Sequence, residues 1–226
     1  MDASLAISSL IPYRCAGCRE RGSPLCDVCR FAIASSPSVI VPASPAGVVT
    51  TALTFDGVAR SAILGLKYRN GRAAARVLAG VLVRRLGLAS VNRPPFDLVT
   101  WAPTSRRRSA ERGYDQAELL ARAVAAHLGV PCRRLLYRTH GDAQTGRGRD
   151  ERLTGPGFRA RPARIPIRVL VVDDVVTTGA TLGAAGQALL DAGIAEVRLV
   201  ALAATPAPCR SHAKARERPP GRLESA

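Results

Sequence analysis

Residues 169–182 read VLVVDDVVTTGATL, and no other stretch of the 226-residue chain restricts its fold so strongly. Val169, Leu170, Val171 and Val172 form the continuous apolar run of a central parallel strand buried on both faces. Asp173 and Asp174 stand where that strand leaves the sheet. Thr177, Thr178, Gly179, Ala180 and Thr181 then make a turn of small and hydroxyl residues that runs into a helical pattern carried by Leu182, Ala185, Leu189 and Leu190. A helix starting this way points unpaired N–H groups and the positive end of its dipole outward, which suits a phosphate. Two carboxylates beside an anion are costly unless they meet hydroxyls or a metal. A ligand with a phosphate at one end and a diol or Mg²⁺ at the other satisfies both halves.

The stretch resembles the 5-phosphoribosyl-1-pyrophosphate (PRPP) motif of type I phosphoribosyltransferases. The resemblance implies that Asp173 and Asp174 are the catalytic pair, hydrogen-bonded to the ribose 2′- and 3′-hydroxyls. It also implies that Val175, Val176, Thr177, Thr178, Gly179, Ala180 and Thr181 bind PRPP, with Thr177 to Thr181 around the 5′-phosphate. An ordinary strand–turn–helix unit of a doubly wound sheet is the alternative. The combination of hydrophobic run, acid pair and TTGAT is far more specific than a lone glycine-rich loop.

Near the start of the chain, Cys15-Ala-Gly-Cys18 is followed after seven residues by Cys26-Asp-Val-Cys29. Two C-x-x-C pairs put four sulfurs within reach of one tetrahedral ion, and a structural Zn²⁺ is expected because four protein ligands leave no open position. Two disulfides would not suit the cytoplasm, and a redox C-x-x-C needs no duplicate. So short a segment has little apolar core, so metal binding is expected to supply most of its folding energy, on the order of 10 kcal/mol. Cys132 and Cys209 have no partners at metal spacing.

These features divide the chain into a zinc knuckle over 1–34, a linker over 35–46 (SSPSVIVPASP lies within it), a main domain over 47–205, and a disordered basic tail over 206–226. No apolar run reaches the length of a membrane span, and Met1 to Leu10 lacks the pattern of a signal peptide, so a cytoplasmic protein without membrane insertion is expected.

The net charge is +16, and nearly all the cations are arginine, lysine occurring only at Lys67 and Lys214. Arginine forks suit phosphate, which points to a polyanionic ligand or nucleic acid. A genome rich in Arg and Ala codons explains the same excess. Only nine residues are aromatic, which weakens the case for a base-stacking groove.

Within the main domain Val48 to Phe55 reads as a strand, and Val58 to Leu66 and Arg72 to Leu86 as helices. Lys67, at the end of the first helix, is locally no more than a C-terminal charge. Asp97 to Ala102 is a buried strand ending in the arginine-rich loop Pro103-Thr104-Ser105-Arg106-Arg107-Arg108. The carboxyl end of a strand is where an open α/β sheet receives an anionic ligand. Arg112-Gly113-Tyr114-Asp115-Gln116 leads into a helix with Ala117, Leu120, Ala121, Val124 and Leu128 on one face. Leu135 to Tyr137 is a short strand, and Arg138 to Arg164 is a long polar stretch that reads as a lid or as flexible surface.

Taken together, the four-cysteine knuckle, Lys67-Tyr68, Pro103, Arg112-Gly113-Tyr114-Asp115-Gln116, Gln144 with Arg149 and Arg152 before Phe158, and DDVVTTGAT resemble the ComF family. That family joins a zinc-binding module to a phosphoribosyltransferase-like domain, and its members are associated with DNA uptake in natural competence. The resemblance implies a mostly parallel α/β sheet with flanking helices behind a small zinc knuckle. Pro103, Thr104, Ser105 and Arg106 then correspond to the loop that contacts pyrophosphate, and Arg112 and Lys67 join the PRPP-binding set. Asp115 departs from the asparagine of many relatives, and the asparagine expected before Phe158 is missing. Mg²⁺-dependent phosphoribosyl transfer from PRPP to an unidentified acceptor is the activity implied. A noncatalytic protein that handles single-stranded DNA in competence, with PRPP or a nucleotide as ligand and other competence proteins as partners, is the alternative.

Overall fold

The computed structural model describes residues 13–68, 72–89, 95–139, 156–163 and 167–206. Helix α1 (Asp27–Ala34) follows the cysteine turns. Then come strands β1 (Val39–Pro42) and β2 (Val48–Thr54), and helices α2 (Gly57–Tyr68) and α3 (Arg72–Arg85). Strand β3 (Leu98–Trp101), helices α4 (Arg106–Arg112) and α5 (Gln116–Leu128), and the hairpin strands β4 (Leu136–Arg138) and β5 (Phe158–Ala160) lead to β6 (Arg168–Val176), α6 (Ala180–Asp191) and β7 (Glu196–Ala204).

The main sheet has the order β1-β2-β7-β6-β3, parallel except for the edge strand β1, and β4–β5 form a separate antiparallel ribbon. The unbroken apolar run of β6 is accounted for by layers on both faces. Leu170 and Val172 join α2, α3 and α5 in one cluster, while Val169 and Val171 join α6 and Leu136 in the other. Such double coverage is what a parallel sheet built from crossovers requires.

Two departures from the sequence reading concern the amino-terminal third. The linker stretch contains β1, because the apolar Val39-Ile40-Val41 pairs with β2 between residues 48 and 51. Thr51 Oγ1 reinforces this edge, donating to Val39 O at 2.9 Å and accepting the Val39 N–H at 3.2 Å. The knuckle, moreover, is not coreless. Cys15, Leu25, Cys29 and Ile33 are buried in the same cluster as α2, α3 and α5, so part of its ordering comes from the main domain rather than from metal alone.

Because β3 and β6 are parallel neighbours with Trp101 opposite Val172, the segments that follow them emerge side by side at the carboxyl ends of the strands. At the other end Asp97 and Arg168 form a bidentate pair, with Nη2 2.9 Å from Oδ1 and Nε 3.2 Å from Oδ2.

Candidate functional site

The two emerging segments bound a cleft of about 220 Å³. From β6 it receives Asp173, Asp174 and Val175, and from the first turn of α6 Thr181. Pro103, Thr104 and Arg108 come from the β3–α4 side, Asp115 and Gln116 from the start of α5, and Arg138 from β4. Asp174 is buried, and its backbone N–H donates to Asp173 Oδ1 at 2.7 Å, holding the Asp173 carboxylate against the main chain.

The arginine-rich segment after β3 is helical rather than a loop. Ser105 caps α4, its hydroxyl accepting the Arg108 N–H, so Arg108 lies one turn in. Gly113 ends α4 in the left-handed region at φ 74°, and the chain turns directly into α5. Asp115 accepts hydrogen bonds at both carboxylate oxygens. Oδ1 accepts the Ala117 N–H at 3.0 Å as the α5 cap, while Oδ2 accepts the Thr104 N–H at 2.9 Å. One side chain thus ties the β3–α4 turn to the start of α5. Burial pushes the Asp115 carboxyl above the ordinary aspartate range, against the lowering effect of those N–H donors. Tyr114 adds a second tie by donating to Leu66 O near the end of α2.

Arg138 enters from a different direction. Burial and the nearby Arg108 guanidinium lower its pKa, and Asp173 opposes them, so these three charges share one neighbourhood. Its ring contact with Phe158, 5.9 Å from guanidinium carbon to centroid, belongs to the β4–β5 ribbon. Arg108, Gln116 and Arg138 were not singled out from sequence as ligand-binding residues. Ser105 as a cap was the available signal for Arg108. Nothing local marks Arg138, which reaches Asp173 only through the fold.

Among the residues expected at the site, Asp173, Asp174, Val175, Thr181, Pro103 and Thr104 come together in the cleft. Thr177 and Thr178 are exposed on the turn beyond it. Ser105 serves as a cap, and Val176 buries its side chain in the cluster beneath α6. Lys67, Arg106 and Arg112 fall on helical backbone, and their side chains lie outside the described part of the structure, as do Gln144, Arg149 and Arg152; of the lid reading over Arg138 to Arg164, residues 140–155 and 164–166 lie outside it too, while Arg138 and Phe158–Ala160 belong to β4 and β5.

Gly179 shows how this wall is built. It adopts φ +79°, and a Cβ there would lie 1.9 Å from Pro42 O. Four residues on, a Cβ at Gly183 would lie 2.8 Å from both Ala43 O and Ser44 O. The turn is therefore seated directly on the backbone that follows β1, an approach open only to glycine.

In the knuckle the Sγ atoms of Cys15, Cys18, Cys26 and Cys29 all lie within 4.8 Å of one another. The Cys15–Cys26 and Cys18–Cys26 separations are 3.7 and 3.6 Å, close to the edge of about 3.8 Å expected for a sulfur tetrahedron with 2.3 Å bonds. Burial acts to raise the Cys15 thiol, yet N–H groups of Cys26, Cys18 and Gly17 outweigh it and draw the thiol down to about 6. Burial and the three neighbouring sulfurs hold Cys29 far above its usual value. Four thiols so crowded cannot all ionise without a cation among them, and the cluster could hold a metal ion.

Comparison with known proteins agrees with this arrangement. The family model described as "Phosphoribosyl transferase domain" matches residues 115–216. "Competence protein ComFC" of Streptococcus pneumoniae (strain ATCC BAA-255 / R6) is 34% identical over 102 residues, 44% of this chain and 44% of that protein. "DNA utilization protein YhgH" of Salmonella typhi is 31% identical over 147 residues, 62% of this chain and 64% of that protein. The four-cysteine cluster lies ahead of the matched domain. These findings support assignment to the ComF family. The chain matches less than two thirds of the length of each of these relatives. Its fold is of the type I phosphoribosyltransferase kind, a mostly parallel sheet with flanking helices. Among solved structures it is similar to the allosteric regulatory enzyme of purine biosynthesis, at 19% identity over 62% of this chain and 30% of that one, with a TM-score of 0.40. It is also similar to adenine phosphoribosyltransferase from Leishmania tarentolae, at 15% identity over 74% and 94% of the two chains, TM-score 0.40. At such values neither structure carries the assignment. No described helix is long and apolar enough to cross a membrane.

Proposed function

We propose that the cleft between β3 and β6 binds PRPP with Mg²⁺ and transfers its phosphoribosyl group to a nitrogen acceptor. The observation that carries this reading is the convergence of Asp173, Asp174 and Thr181 with Thr104, Arg108 and Arg138 around one cleft. The acid pair suits the ribose 2′- and 3′-hydroxyls as acceptors. The first N–H groups of α6, with the threonines of its turn, suit the 5′-phosphate. Arg108 and Arg138 lie near Asp173 and suit the pyrophosphate, since guanidinium groups neutralise a departing polyphosphate. Lys67, Arg106 and Arg112 complete the proposed set by family resemblance.

In the reaction the bond from ribose C1 to the pyrophosphate oxygen breaks, a bond from C1 to the acceptor nitrogen forms, and the nitrogen releases a proton. Arg108 and Arg138 hold the leaving group while Asp173 and Asp174 fix the ribose as positive charge grows at C1. Mg²⁺, held mainly by PRPP itself, supplies further charge neutralisation at the pyrophosphate. We also propose Zn²⁺ in the cysteine cluster, with Cys15, Cys18, Cys26 and Cys29 as its four ligands and a structural role. The domain division carries over as a knuckle joined to a transferase-like domain by a segment that includes β1, and a cytoplasmic location is proposed with it.

Calorimetry with PRPP and Mg²⁺ on the wild type and on Asp173→Asn/Asp174→Asn tests the ligand assignment. Tighter binding by the wild type is expected, and equal affinity would sink it. Release of pyrophosphate in the presence of a panel of bases and amines tests turnover. A second reading, handling of single-stranded DNA in competence, is favoured by the relatives' names and the net charge of +16. On that reading affinity falls with salt at a log–log slope of about −0.7 per phosphate contacted.

A further inference from the structure

We propose that a second cleft, between α1, α3 and the end of α5, is a binding site for clustered phosphate groups. Its volume is about 480 Å³, and its walls carry Arg30, Arg76, Arg84, Arg85 and His127 with no carboxylate among the lining residues. Asp27 comes within 4.0 Å of Arg30 Nε but is itself fully exposed.

The arginines divide by role. Arg30 donates to Leu25 O at 2.9 Å within the knuckle, whereas Arg85 donates to the carbonyls of Ala34 and Ser36 and so fastens the end of α1 and the turn after it to α3. Arg85 Nε is buried and has no acceptor among the described residues. Arg76 and Arg84 are exposed and form no ion pair with any described residue. They stand eight residues apart on α3 with Gly80 midway, so the three share one helix face, with roughly 6 Å of rise between successive members.

Gly80 lets two further donors close in. A Cβ there would lie 3.3 Å from the His127 ring and 3.5 Å from Arg84 Nη1, so imidazole and guanidinium converge on the same point. Glycine inside a helix is otherwise unfavourable. His127 Nε2 is 2.9 Å from Arg76 O. A carbonyl only accepts, so Nε2 carries the hydrogen. Favourable interaction with the helix dipole accounts for Arg84 and Arg85 in the last turn of α3. It does not account for Arg76, which lies near the opposite end of that helix and lines the same cleft.

The site is separate from the PRPP cleft. Gln116 opens α5 at one and His127 lies at the other, about 17 Å away along the helix. Guanidinium forks match phosphate oxygens two at a time, so the ligand class is one carrying adjacent phosphates, either a soluble polyphosphate or a nucleic-acid backbone.

The test uses the full chain with inorganic triphosphate and, separately, a 15-residue oligothymidylate. Wild type is compared with Arg76→Gln/Arg84→Gln and with Arg133→Gln/Arg161→Gln, a control that removes two exposed arginines elsewhere. About tenfold weaker triphosphate binding per guanidinium removed is expected, with PRPP affinity unchanged and the His127 ring proton resonance shifting on titration. If only the oligonucleotide loses affinity, the site stands and its phosphates are those of a strand. Unchanged binding of both probes, or an equal loss in the control, overturns the site. Failure of PRPP binding in Asp173→Asn/Asp174→Asn leaves these readouts untouched, so the two assignments fail separately.

Discussion

Replacing Asp115 by alanine removes two acceptors at once. The α5 cap contributes about 1 kcal/mol, and a Thr104 N–H left without its partner costs about 1 kcal/mol more, so a loss of about 2 kcal/mol is expected. In a protein of this size that lowers Tm by roughly 6 °C. Asparagine keeps one acceptor oxygen and loses the charge, so Asp115→Asn should stay within about 1 kcal/mol of wild type at neutral pH. The two variants also separate in pH dependence. Burial raises the Asp115 carboxyl in the folded state, so between the ordinary aspartate value and the raised one the native protein holds a proton the unfolded chain has released. Native stability from this group is therefore complete below the ordinary value and is lost as pH rises through the raised one. Urea unfolding from pH 4 to 8 should show wild type falling relative to Asp115→Asn as pH increases. A flat difference, or an alanine variant within about 0.5 kcal/mol of wild type, would refute the assignment of Asp115 as a buried tie.

Gly179→Ala and Gly113→Ala form a matched pair, both with positive φ but only the first facing backbone. The Gly113 change should cost about 1 kcal/mol by urea unfolding, and the Gly179 change several times more. Arg138→Gln should weaken PRPP binding about tenfold by calorimetry while leaving the unfolding midpoint nearly unchanged. Cys29→Ser should remove about one equivalent of zinc by elemental analysis. Because Leu25 and Ile33 share the main core, the variant should retain a cooperative transition at lower Tm rather than lose the fold. Asp97→Ala should lower the urea unfolding midpoint through the broken pair with Arg168, with ligand binding intact because the pair lies at the far end of the strands.

The elements legible in the sequence were those with strong local codes. The run Val169 to Val172, the hydroxyl turn and the cysteine spacing each impose one chemistry on a short window, and β6, the start of α6 and the sulfur cluster follow them. Helix α5 was equally plain from the spacing of Ala117, Leu120, Ala121, Val124 and Leu128. Helix α4 was not, because three consecutive arginines carry no apolar period, although arginine is a good helix former and Ser105 a good cap. Strand β1 was hidden between prolines, and its pairing depends on Thr51, whose side chain replaces ladder contacts at Val39. Arg138 could not be found locally, since its place near Asp173 is a product of the β4–β5 ribbon packing against α6. The shared core of the knuckle was obscured for the same reason, as Leu25 and Ile33 are buried in one cluster with residues of α2, α3 and α5.

The seating of Gly179 and Gly183 on the main chain after Pro42 makes the two walls of the proposed PRPP cleft mechanically unequal. One wall is backed by peptide oxygens at contact distance and cannot recede when a ligand arrives. The facing wall is held by side-chain ties alone, Asp115 to the Thr104 N–H and Tyr114 to Leu66 O, and it can yield. Adaptation to ligands of different size therefore falls to the α4 side, while lengthening the chain between residues 42 and 46 would distort the phosphate turn as directly as a substitution within it.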